Sequence, residues 1–174
     1  IPLQIRSTFA PELPGTRIGF VAGAGLEEAG VVGFAGRREV AMLRVLFREE
    51  ARPDADALVR ACLAQRGIEV FHSSQGVEGL CLLLIAKSGQ DTLHAACDEA
   101  RRLLPGAQVK LRENLAALLA LCRATREVPK LAAAMETAGV PVHHLVQTPP
   151  GALFCVNDSQ YETALRAAYA LAFG

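Results

Sequence analysis

The sequence predicts an α+β protein made of two ferredoxin-like (βαββαβ) units, each an antiparallel sheet with two helices on one face. The first observation is an internal repeat with a shift of 72 positions. It aligns Ile68, Val70, His72 and Gln75 with Val140, Val142, His144 and Gln147. The second observation is the hydrophobic period, which changes along each copy in the order strand, helix, strand, strand, helix. This order is typical of the split βαβ arrangement.

The first copy begins with a predicted strand over residues 39–47. A helix over 54–66 follows, with Asp54 as its N-terminal cap and Gly67 as a left-handed residue after its end. Strands over 68–75 and 79–86, a helix over 90–104 and a closing strand over 107–112 complete the copy.

The second copy has predicted strands over residues 114–122, 140–147 and 152–156 and a helix over 127–138. Its last helix starts near Ser159, which lies three residues before Glu162 in the spacing of a capping box. No closing strand follows, and residues 29–35 are a candidate to supply it from upstream. The predicted domains are therefore 39–112, and 29–38 together with 113–174, preceded by a linker over 1–28.

Composition excludes several classes of function. The chain has 174 residues, 51% of them hydrophobic, and 18 basic residues balance 18 acidic ones, so no strong field attracts a phosphate backbone. The longest apolar runs, 80–86 and 115–122, are much shorter than the roughly 20 residues that a membrane-spanning helix needs. The predicted strands also lack the aromatic side chains on which RNA bases stack. We expect neither a nucleic-acid nor a membrane partner.

No catalytic or metal motif is evident either. Five cysteines form no CxxC pair and lie among aliphatic residues, which predicts reduced core thiols in a cytoplasmic protein. His143 and His144 are adjacent on a predicted strand and should point to opposite faces, so they do not suggest a metal site. We therefore predict no catalytic residue, metal ligand or cofactor in this chain.

Several segments resemble one family in the same order along the chain. They are RSTFAPELPGTRI at 6–18, GFAGRR at 33–38, LFCVND at 153–158, YETALRAA at 161–168 and the final Ala172-Phe173. Together they resemble the C-terminal regulatory region of aspartate kinases, which contains tandem ACT domains. The resemblance covers the whole chain.

This resemblance implies a regulatory and non-catalytic fragment of a cytoplasmic enzyme. In the family, a kinase domain of the same polypeptide uses ATP and Mg to phosphorylate aspartate, and the ACT domains sense end products such as lysine or threonine. The implied role is allosteric feedback inhibition in lysine biosynthesis and related amino-acid biosynthesis. The implied partners are an amino-acid effector, the kinase domain and a second copy in a homodimer, because side-by-side pairing hides the edges of the sheets.

A free amino acid needs N–H donors for its carboxylate and oxygen atoms for its ammonium group. The start of the first helix offers unpaired N–H groups, and the facing strand would complete a pocket. The candidate effector-binding residues are Glu49, Arg52, Asp54, Ala55, Asp56, Val70, Phe71, Ser74 and Gln75. The same acidic and basic residues could instead form a solvated loop and helix cap.

Phe71 bears on the identity of the effector. Lysine-sensitive members of the resembled family have an acidic residue near this place, and an aromatic ring cannot form an ion pair with an ammonium group. Either Asp54 or Asp56 takes over that role, or the effector is not lysine. Two alternatives stay open: a dimerisation module that binds no effector, and an ACT sensor attached to another amino-acid enzyme.

Overall fold

The computed structural model describes residues 3–5, 12, 16–18, 30–47, 53–76, 79–148 and 151–174. The strands are β1 Leu3–Ile5, β2 Thr16–Ile18, β3 Val31–Leu46, β4 Val70–Gly76, β5 Gly79–Ile85, β6 Gln108–Cys122, β7 His144–Thr148 and β8 Gly151–Asn157. The helices are α1 Ala55–Gln65, α2 Gln90–Leu103, α3 Glu127–Thr137 and α4 Tyr161–Phe173. Short 3-10 helices cover Ala86–Ser88 and Asp158–Gln160. None of these described helices has the length and hydropathy required to cross a membrane.

Six strands form one antiparallel sheet in the order β4-β5-β3-β6-β8-β7, while β1 and β2 pair only with each other. The central strands β3 and β6 pair with each other along their length, from Val31 opposite Cys122 to Leu46 opposite Gln108. Residues 40–46 of β3 also pair with β5, and residues 115–121 of β6 also pair with β8. Each long strand therefore belongs to both halves of the sheet.

We call β4, β5 and the adjoining parts of β3 and β6 the first half, and β7, β8 and the remaining parts the second half. Both long strands change conformation where the halves meet. Glu39 and Asn114 have φ values of 57° and 55°, which residues other than glycine seldom adopt. The register of β3 against β6 shifts between Arg37 and Val40. The strands predicted over 29–35 and 39–47 are thus continuous in β3. Those predicted over 107–112 and 114–122 are continuous in β6.

Each half has its own hydrophobic core between sheet and helices. In the first half, Ala41, Leu43 and Val45 of β3 pack with Val59 of α1 and Leu93 of α2. The second core is built in the same way from strand residues of β6 and β8 and from α3 and α4, and its buried residues include Leu118, Phe154, Leu131, Met135 and Ala164. The predicted fold class, two ferredoxin-like arrangements with helices on one face, is confirmed.

A third buried cluster lies on the other face of the strands. Its members are Val40, Met42, Cys81, Leu83, Leu115, Ala117 and Cys155, with Phe71 and Leu153 at its edge. All of them are strand residues, and they come from both halves. This cluster therefore joins the halves on the face that carries no helices, because apolar side chains from both are buried there together.

Two predicted helix caps differ from the structure. Asp54 occupies the N-cap position of α1, but its side chain accepts no capping hydrogen bond. Ser159 lies in the 3-10 helix before α4, so Gln160 takes the cap position and the predicted capping box does not form. At the other end of α1, Gly67 has the predicted left-handed conformation, with a φ of 67°.

The five cysteines are free and buried, as the sequence predicted. Burial raises the pKa of Cys81 to about 11 and that of Cys155 to about 12. A thiol reacts with alkylating agents as its thiolate, so both groups should be unreactive in the folded chain.

We expect iodoacetamide to modify the folded chain slowly at pH 8. Because the pKa of Cys81 rises from 9.0 to about 11, its thiolate fraction falls about 100-fold. Intact-mass spectrometry should show five rapid additions in guanidinium chloride and slow addition without it. Rapid alkylation of Cys81 or Cys155 in the folded chain would contradict this burial.

The contact between Arg38 and Asp158 predicts a pH-dependent contribution to stability. Nη2 of Arg38 lies 2.7 Å from Oδ2 of Asp158, and this hydrogen-bonded guanidinium lowers the pKa of the carboxyl group. A lowered pKa in the folded state stabilises the fold above the unfolded pKa, and this gain disappears as the pH falls. Asp158→Asn should therefore lower the free energy of unfolding at pH 7, with the difference shrinking below about pH 4.

Denaturant unfolding at pH 7 and pH 3 measures this effect. The control is Asp98→Asn, which removes an exposed carboxylate that pairs with Arg101 within α2. Its effect should be small, since exposed pairs contribute little. An Asp158→Asn effect that persists unchanged at pH 3 would refute the electrostatic explanation.

Candidate functional site

The residues predicted to bind an effector fall into three sets in the structure. Glu49 and Arg52 lie outside the described residues. Asp54, Ala55 and Asp56 lie at the start of α1, and Val70, Phe71, Ser74 and Gln75 belong to β4.

The start of α1 is already engaged with the rest of the protein. Ala55 is 2% exposed and packs in the first core, so only its backbone N–H could reach a ligand. The Asp56 carboxylate accepts a hydrogen bond of 2.8 Å from Nε of Arg60, and the Arg60 guanidinium also contacts the hydroxyl of Ser73 on β4. This chain of contacts ties α1 to β4 on the helical face.

The other face of β4 meets the opposite end of the sheet. The Ser74 hydroxyl lies 3.2 Å from Nε2 of His144 on β7. Because β4 and β7 are the two outer strands in the sheet order, this contact requires the sheet to curl until its ends approach each other.

A cavity of about 530 Å³ opens at this contact, and we call it the Arg44 cavity. Its lining includes Arg44, Ser74, Gln75, Gly79, Cys81 and His144. Burial lowers the pKa of His144, and the nearby charges of Arg44 and His72 lower it further, so its imidazole is neutral at pH 7. The guanidinium, the hydroxyl and the imidazole together can bind a carboxylate.

Two residues that line this cavity, Ser74 and Gln75, belong to the effector-binding set that the sequence predicts, whereas Arg44 and His144 do not. Arg44 lies inside a hydrophobic strand with no local motif around it. The internal repeat aligns His144 with His72, which is not among the predicted site residues either.

The remaining two β4 residues lie elsewhere. Val70 packs against the first core. Phe71 contacts Arg37, whose guanidinium carbon is 5.7 Å from the ring centroid. Phe71 and Arg37 line a second cavity of about 340 Å³, which we call the Phe71 cavity. Its lining also includes Ala35, His72, Leu119 and Leu153. The structure therefore places the described members of the predicted set at the start of α1, in the first core (Val70) and in the linings of two cavities.

The two adjacent histidines make separate contacts. Nε2 of His143 lies 2.8 Å from Oδ1 of Asn157, and Nδ1 contacts Arg112, whereas His144 contacts Ser74. In the part of the chain that the structure describes, no group of three or more His, Cys, Asp or Glu side chains is placed to hold a metal ion.

No protein-family model and no curated protein sequence matches the chain. Solved structures do match its fold. The aspartate kinase of Clostridium acetobutylicum is 16% identical, with a TM-score of 0.85 over 99% of this chain and 41% of the kinase. E. coli aspartokinase III in complex with lysine and aspartate is 18% identical, with a TM-score of 0.71 over 100% of this chain and 39% of the kinase.

A third match is a separate regulatory subunit. The regulatory subunit of aspartate kinase from Thermus flavus is 23% identical, with a TM-score of 0.67 over 83% of this chain and 99% of the subunit. The chain thus spans about two-fifths of the Clostridium and E. coli kinases and nearly all of the Thermus subunit. It has the ACT-containing fold of the regulatory regions of aspartate kinases.

Proposed function

We propose that this chain is the regulatory region of an aspartate kinase and that it binds an end-product amino acid, lysine or threonine, to inhibit aspartate phosphorylation. The observation that carries the proposal is the match to nearly the whole Thermus regulatory subunit, which contains no more than this fold. The E. coli kinase that shares the fold was solved with lysine and aspartate, which supports an amino acid as the effector. The kinase domain of the same polypeptide, with its ATP and Mg, would then be the regulated partner.

We place the effector between the start of α1 and β4. The N-terminal N–H groups of α1 would bind the carboxylate, because a helix start is a positive end of the helix dipole. Asp56 and Asp54 are the candidates to bind the ammonium group, and Asp56 would have to share its carboxylate with Arg60. Gln75 lies two residues after Ser73 on β4, on the side of the strand that Arg60 contacts, and would contact the effector from there.

A homodimer is part of the same proposal. The outer strands β4 and β7 each pair with a single neighbouring strand in the sheet. Such edges are available for pairing with a second copy, which would extend the sheet. An effector that favours one arrangement of this dimer over another by about 1 to 3 kcal/mol would change the affinity or activity of the kinase about 5- to 150-fold.

The Asp56–Arg60 ion pair favours a second candidate function. If that carboxylate remains committed to Arg60, the start of α1 has less charge to offer an ammonium group. The chain would then act as a dimerisation module that binds no effector.

Thermal unfolding against lysine, threonine, methionine and isoleucine separates these two functions. A ligand at 100 times its dissociation constant should stabilise the chain by about 2.7 kcal/mol. We expect a selective rise in melting temperature with lysine or threonine, and we expect Asp56→Asn to abolish it.

Glu162→Gln is the matched control, because Glu162 lies in the first turn of α4 and pairs with Arg166 four residues later, as Asp56 pairs with Arg60. It should leave the rise unchanged. If none of the four amino acids raises the melting temperature, the dimerisation module becomes the better proposal.

Sedimentation velocity tests the homodimer. We expect a species of twice the 18.5 kDa chain mass at micromolar concentration. Leu145→Lys should shift it toward the monomer, because Leu145 is 40% exposed on the outer strand β7 and lysine blunts strand edges. Leu171→Lys, at another exposed leucine on α4, should leave the dimer intact. A monomer at all concentrations would exclude the proposed assembly.

A further inference from the structure

The Phe71 cavity lies between the two halves of the sheet and is separate from the proposed effector site. Phe71 and His72 come from β4 of the first half, and Leu119 and Leu153 come from β6 and β8 of the second half. Its volume of about 340 Å³ is at the lower end of the range of ligand pockets. The cavity is therefore large enough for a small metabolite only.

Arg37 gives this cavity a positive charge. The arginines of the described helices pair with carboxylates, as Arg60 does with Asp56 and Arg101 with Asp98. Arg37 forms no ion pair with any described residue, and its guanidinium group lies near the ring of Phe71. A guanidinium group binds carboxylates in a two-pronged geometry, so Arg37 is suited to hold an anionic group at the mouth of the cavity.

His72 supplies a polar group that lacks a partner. Its Nε2 atom is buried and has no hydrogen-bond partner among the described residues. Buried polar atoms in proteins are nearly always hydrogen-bonded, so a group of this kind requires an explanation. Burial also lowers the pKa of His72, and a neutral imidazole can donate one hydrogen bond to an uncharged oxygen.

The other residues that line the cavity indicate which further chemical groups a ligand could have. Ala35, Phe71, Ala117, Leu119 and Leu153 offer apolar surface. No carboxylate lines the cavity within the described ranges, so an ammonium group would have no counter-charge there. The lining thus combines one cation, one neutral hydrogen-bonding group and an apolar wall.

We propose that the Phe71 cavity binds a small 2-oxo acid with a branched apolar side chain. Arg37 binds the carboxylate, His72 donates a hydrogen bond to the oxo group, and Leu119 and Leu153 contact the side chain. This site is independent of the amino-acid site at α1, and it would let the same regulatory region respond to a metabolite without an amino group.

Isothermal titration of the 174-residue chain with three probes tests the chemistry. The probes are 4-methyl-2-oxopentanoate, 4-methylpentanoate, which lacks the oxo group, and leucine, which carries an ammonium group instead. We expect the oxo acid to bind with a dissociation constant of about 1 mM or tighter. The simple acid should bind at least about fivefold more weakly and leucine at least about tenfold more weakly. Equal binding of leucine, or no binding of the oxo acid up to about 10 mM, would overturn the proposal.

Variants and NMR locate the binding. Arg37→Gln should weaken binding of the oxo acid at least about tenfold, while Arg166→Gln, the same change on α4, should not alter it. In the unsubstituted chain, the oxo acid should shift the imidazole resonances of His72 and the methyl resonances of Leu119 and Leu153. Unchanged affinity of Arg37→Gln, or shifts confined to other residues, would refute this site.

The same samples distinguish a failure of the oxo-acid proposal from a failure of the proposed amino-acid binding. Any melting-temperature rise with lysine or threonine should survive in Arg37→Gln, because the amino-acid site does not involve Arg37. Loss of the oxo-acid response with retention of the amino-acid response identifies two sites. An amino-acid response that disappears in Arg37→Gln would show that the two ligands share one site and would overturn the separate assignment.

Discussion

The pairing of β3 with β6 is the constraint on which the rest of the structure depends. These two strands lie side by side from Val31 to Leu46 and hold both halves of the six-stranded sheet together. Each half has two strands of its own and obtains its other two from segments of β3 and β6. Neither half could therefore separate without breaking the central ladder and exposing the strand-only cluster around Met42, Leu115 and Cys155. The positive φ values at Glu39 and Asn114 are tolerated because this pairing fixes the backbone on both sides.

The curl of the sheet decides where the two cavities form. The outer strands β4 and β7 come from opposite ends of the sheet order, and yet Ser74 and His144 are within hydrogen-bonding distance. Both cavities lie where residues of the two halves meet on the face without helices. The first half alone would lack His144 of the Arg44 cavity and Leu119 and Leu153 of the Phe71 cavity. A ligand bound in either cavity would contact residues of both halves.

Charge is distributed unevenly although the chain has no net charge. The helices carry ion pairs between neighbouring side chains, such as Arg102 with Glu99 and Lys130 with Glu127. The two cavities instead contain Arg37 and Arg44, and no described acidic residue lines either of them. Several charges on the helices are thus paired with each other, while the arginines of the cavities favour anionic ligands.

The sequence by itself determined the local elements, the internal repeat and the fold class, because hydrophobic periodicity and a residue such as Gly67 act over a few positions. Only the tertiary structure decided that β3 and β6 are continuous strands, that the 3-10 helix displaces the cap expected at Ser159, and that Arg44 meets His144 in one cavity. These features depend on contacts between residues up to about a hundred positions apart, which local propensity does not encode.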